Sequence, residues 1–119
     1  MHPVIKSFIE GFDKQSRSYK FKKNTLTSGG IRLEVTPEIE TSEPTAFHLS
    51  FSSPLEIADM MYPFFLFTFV FGNQFDTKAL MARQADKIKA GSKYSERFEG
   101  WDYSSYLIGA RWHIELTKV

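Results

Sequence analysis

Hydrophobic positions recur along this chain with two different periods, and the changes of period mark its elements. Val4, Ile5, Phe8, Ile9 and Phe12 fall at helical spacing, with Lys6, Glu10, Asp13 and Lys14 on the opposite side. With Pro3 suited to a first turn, this predicts an amphipathic helix over 3–14. From Ser18 the period becomes two, since Tyr19 and Phe21 alternate with Lys20 and Lys22 as in a half-buried strand. Residues 24–30, ending in the paired Gly29 and Gly30, carry turn chemistry and close a hairpin. Ile31, Leu33 and Val35 then alternate with Arg32, Glu34 and Thr36, a second strand ended by Pro37. The acidic connector 37–44 holds Glu38, Glu40 and Glu43 between prolines and reads as a solvated hairpin loop. A third strand follows over 46–51, with Phe47, Leu49 and Phe51 facing in and His48 and Ser50 facing out.

The next signal is a helix start: Ser53 as cap, Pro54 in the first position and Glu56 completing a capping box predict a helix to Tyr62. Pro63 disfavours helical geometry at the residue before it and predicts a break there. Residues 64–71 are apolar on both alternating faces, and their aromatic and β-branched content favours a strand over a continuation of the helix. Asp76 caps a further helix over 77–90, with Leu80, Met81, Ala85 and Ile88 on its apolar face and Gly91 at its end. Residues 92–100 read as a charged connector, and 103–116 as one long strand with Tyr106, Ile108, Ala110, Trp112, Ile114 and Leu116 on one face.

In order, the pattern is helix, three strands, helix, strand, helix, strand. Short polar connectors favour an antiparallel meander, so the expected class is α+β: an antiparallel sheet of about four to five strands with two or three helices packed on one face. At 119 residues the chain makes one domain, 1–119, with a single core.

Composition narrows the chemistry. The absence of Cys excludes a disulfide framework, a thiolate zinc site and a Cys nucleophile. No Walker loop, dinucleotide fingerprint, nucleophile elbow or His-Glu-x-x-His pattern occurs, so no catalytic residue and no cofactor are expected. The three histidines, His2, His48 and His113, lack metal-ligand spacing. A cross-strand trio of His48, His113 and Glu115 is conceivable, but surface histidines on a sheet account for the same residues and no metal site is expected. Glu56 and Asp59 share a helix face, with Glu56 already explained by capping. The N-terminal segment lacks a signal-peptide apolar core, because Lys6 and Glu10 interrupt it, which points to a cytoplasmic protein. The most apolar stretch, 60–71, is about a dozen residues against the roughly twenty a bilayer span needs, so no membrane span is expected.

Three functional classes follow. The first is a non-catalytic protein-binding domain, of cognate-inhibitor, immunity or adaptor type. Its contact patch would be Trp101, Asp102 and Tyr103, read as lying on a loop, with Glu38, Glu40 and Glu43 of the acidic connector orienting the partner. The alternative is a small-ligand protein or enzyme with an aromatic pocket of Tyr62, Phe65 and Phe67 together with His48 or His113. The third is a weak nucleic-acid binder through the basic segment 14–23, with Lys14, Arg17, Lys20, Lys22 and Lys23. A net charge of +1 gives little counterion-release drive, so another protein, not nucleic acid, is the expected partner. If 64–71 were an edge strand it would also invite a homodimer.

Overall fold

Period-two alternation extends further than those strands, and the sheet is accordingly wider. The structure is a computed structural model that describes residues 2–36, 43–52 and 61–119. Among these, the elements in chain order are α1 (Pro3–Lys14), β1 (Lys20–Lys22), β2 (Thr25–Ser28), β3 (Ile31–Thr36), β4 (Ala46–Ser52), α2 (Met61–Phe71), α3 (Thr77–Lys89), β5 (Tyr94–Phe98), β6 (Trp101–Ile108) and β7 (Arg111–Lys118). All strands join one seven-stranded sheet in the order β1-β2-β3-β4-β7-β6-β5. Every pairing is antiparallel, so two meanders meet along β4 and β7, and α2 and α3 lie in the connection between them. The class is α+β.

Each additional strand has an identifiable origin. β2 lies inside the segment read as a turn: Leu26 faces Leu33 in the core, while positive φ at Lys23 and Gly29 turns the chain on either side. β5 lies inside the charged connector, where Glu96 occupies an inward position and masks the alternation of Tyr94 and Phe98. Its carboxylate accepts from Arg83 of α3 at 3.1 Å and from the Tyr94 hydroxyl at 2.6 Å, which explains why a charge is tolerated there. The long final strand is a hairpin, with Ile108 paired to Arg111 across a two-residue turn in which Gly109 has φ 60°. Such a turn reverses the parity of the alternation. Tyr106 and Ile108 therefore share a face with Arg111, His113 and Glu115, opposite Trp112, Ile114 and Leu116.

The expected strand at 64–71 is helix α2. A strand apolar on both faces needs a sheet covered on both sides. Among the described residues, the helices cover this sheet on one, and β4, its most buried strand, already pairs with β3 and β7. The run instead buries Tyr62, Leu66 and Phe67 against the sheet and α1, which removes the edge-strand premise for a homodimer. Pro63 lies in the first turn of α2 and causes no break within the described helix. The expected helix start at Ser53, Pro54 and Glu56, and the Glu56 and Asp59 pair, lie outside the described residues. The buried apolar residues form one cluster between the helices and the sheet. Among the described residues, no helix is long and apolar enough to cross a membrane.

Candidate functional site

Strand alternation distributes the expected contact residues over two faces. Trp101, Asp102 and Tyr103 open β6, not a loop, so consecutive side chains point to opposite sides of the sheet. Tyr103 is 1% exposed and belongs to the core. Asp102 is on the uncovered face, where the Arg97 guanidinium donates to it at 2.6 Å and holds its carboxyl below the usual range. Trp101 is half-buried at the border of the helix-covered side, with its ring 5.7 Å from that of Phe47.

Around Trp101 the chain forms a hollow of about 320 Å³ lined by Glu43, Pro44, Phe47, Phe69, Val70 and Lys118 as well. Phe47 forms a buried part of the lining and meets Phe69 edge-on at 6.0 Å, while Phe69 itself stays 39% exposed. Lys118 is the register partner of Trp101, and its ammonium lies 3.7 Å from the Glu43 carboxylate at the rim. Both side chains are well solvated, so this pair contributes little to stability and leaves two opposite charges for a partner. Of the acidic residues expected to orient a partner, Glu43 is at this rim, and Glu38 and Glu40 lie outside the described residues. Phe69 and Lys118 were not legible as site residues: nothing in their neighbourhoods marks them, and only the crossing of α2 and the pairing of β6 with β7 brings them to Trp101.

The uncovered face carries the second group. His48 and Glu115 are direct register partners, and His113 shares that face. The imidazoles of His48 and His113 are hydrogen-bonded at 2.8 Å, and His113 stacks on Tyr106 with ring centroids 5.0 Å apart. The Lys93 ammonium lies over the Tyr106 ring, 5.6 Å from its centroid. Arg111 donates to Ser50 Oγ at 3.0 Å and Ser52 Oγ at 3.2 Å. Burial and the nearby charge of Glu115 push the Tyr106 hydroxyl pKa up. Among the described residues, no three His, Asp or Glu side chains converge closely enough to hold a metal ion.

Tyr62, Phe65 and Phe67, the rings of the alternative ligand pocket, pack on the helix side, with Tyr62 and Phe67 at 0% exposure. His48 and His113 are on the opposite face, so the structure does not bring these five residues together. In the basic segment, Lys20 and Lys22 face outward from edge strand β1 while Phe21 turns to the core, and Tyr19 leans on Phe12 at 6.1 Å. On the uncovered face, Tyr106 stacks on His113, and the Lys93 ammonium lies 5.6 Å from the Tyr106 ring centroid. Comparison with protein-family models, curated protein sequences and solved structures finds no match for this chain.

Proposed function

We propose that this chain is a non-catalytic binding protein that receives an apolar side chain of a partner protein in the hollow beside Trp101. The observation that carries this reading is the composition of the hollow. Phe47, Val70 and Pro44 supply apolar surface, the aromatic rings of Trp101 and Phe69 remain partly exposed, and Glu43 and Lys118 set charges of both signs at the rim. Apolar centres with aromatic anchors and polar rims are where protein interfaces concentrate their binding energy. Both anchors are positioned by regular elements, Trp101 on β6 and Phe69 on α2, so little ordering cost is added on docking. An inhibitor, immunity-type or adaptor role fits this size and the absence of a catalytic constellation in the sequence.

The test is affinity for the protein that co-purifies with the chain from its own cells. Phe69→Ala and Trp101→Ala should each weaken the complex at least tenfold, about 1.4 kcal/mol or more, with far-UV circular dichroism unchanged. Arg97→Ala, on the uncovered face, should leave affinity within about twofold. Recovery of no partner protein, or a complex indifferent to both aromatic substitutions, overturns the reading.

A further inference from the structure

The uncovered face contains a second device, independent of the hollow. At 2.8 Å, Nε2 of His48 and Nδ1 of His113 are close enough that one must carry a proton and the other a lone pair. Ring packing holds them in place: His48 and His113 have centroids 5.1 Å apart, and Tyr106 covers the His113 ring at an interplanar angle of 8°. The charged groups around the pair come from every neighbouring strand. β3 supplies Glu34 opposite His48, with Arg32 beside it at 3.3 Å. β7 supplies Glu115 opposite His48 on the other side, and Arg111. β6 supplies Tyr106 opposite His113, and Lys93 reaches over Tyr106 from just before β5.

We propose that His48 and His113 form a proton-sharing dyad that admits one positive charge to this face with its ring stack intact and a second only by parting the pair. In the neutral dyad one imidazole donates to the other. A first added proton leaves that bond in place and makes it charge-assisted, because an imidazolium donates to a neutral ring more strongly than imidazole does. A second proton puts hydrogens on both facing nitrogens, so the bond is lost and two like charges are left in contact. The protons therefore enter in two separated steps that belong to the pair. The environment of His113 agrees in sign: burial, then the charges of His48 and Arg111, lower its pKa, with Glu115 opposing them. Once the pair parts, Glu34 and Glu115 stand on either side of His48 to receive its charge, and Tyr106 loses its stacking partner. In the unfolded chain both histidines titrate near 6.5, so just below that pH the unfolded state binds more protons than the native one. The dyad's contribution to stability is thus greatest near pH 6.5 and fades as pH falls through the lower native step.

Imidazole NMR titration of the free chain between pH 4 and 8 tests the dyad without any partner. Two midpoints separated by more than roughly one pH unit are expected, with the Tyr106 ring resonances shifting at the lower one only. In His48→Gln, His113 should titrate in a single step at a higher midpoint than its lower step in the wild type. If both imidazoles follow independent curves with a common midpoint in the wild type, or if His113 titrates identically in the variant, the dyad does not exist. Since the wild-type curves decide the first point alone, a variant that failed to fold would not rescue the proposal.

Discussion

Phe67→Ala is expected to cost about 3–5 kcal/mol of folding stability, the largest loss of any single substitution considered for this chain. Phe67 is 0% exposed and sits where α2 meets the β5–β6 end of the sheet. Its ring lies 5.6 Å from Tyr103, 5.7 Å from Phe75 and 6.4 Å from Phe71. Those neighbours are themselves rings held by Phe98, which contacts Phe71, Phe75 and Tyr103, so the cavity left by a deleted phenyl cannot close by moving one flexible side chain. A domain of this size has about 5–15 kcal/mol in total, so the variant should unfold at a much lower denaturant concentration with an unchanged slope. Phe64, on the same helix but 36% exposed, provides the control, and its alanine variant should lose no more than about 1 kcal/mol. Equal losses at the two positions would mean that α2 does not present this face to the core.

The same helix shows where the sequence became ambiguous. α1 and α3 were readable because each has polar positions that fix the phase of its apolar stripe, and because Asp76 caps α3 by accepting from the Ala79 amide at 3.0 Å. α2 has no charged residue and only Thr68 as a polar one, so a helix and a doubly buried strand match it equally well. The choice is made by tertiary structure, through a sheet that the described helices cover on one face. β3 and β4 alternate cleanly and were located within a residue. β5 was hidden because Glu96 occupies an inward position that only Arg83 and Tyr94 make acceptable. The β6–β7 hairpin was hidden by Gly109, which interrupts an alternation that looks continuous when read as one strand. For the candidate site, Trp101 stood out by residue type, but its neighbours Phe69 and Lys118 are close only through topology. The face shared by His48, His113 and Glu115 was conceivable from parity, whereas their adjacency required the pairing of β4 with β7.

Tyr103→Phe is expected to cost about 1–3 kcal/mol although it removes one oxygen atom, because that oxygen sits inside a polar relay within the core. The Trp112 indole donates to Ser105 Oγ, and Ser105 in turn hydrogen-bonds the Tyr103 hydroxyl. That hydroxyl donates to Gln84 Oε1, and Gln84 Nε2 reaches Met81 Sδ at 3.0 Å, so the relay crosses from β7 through β6 to α3. Ser105, Tyr103 and Gln84 are all buried, and no buried side-chain polar atom among the described residues lacks a partner. Burial pushes the Tyr103 pKa well up, which keeps its hydroxyl a donor throughout the ordinary pH range. Loss of that donor leaves the Gln84 carbonyl oxygen without a partner and without water to replace it. Gln84→Leu should cost a similar amount by removing the acceptor of the Tyr103 hydroxyl on α3. The double variant removes both sides of that bond, so its loss should be smaller than the sum of the single losses by at least about 1 kcal/mol in a denaturant double-mutant cycle. Additive losses would show that α3 is held to the sheet by Leu80 and its apolar neighbours alone, with the relay contributing no coupling.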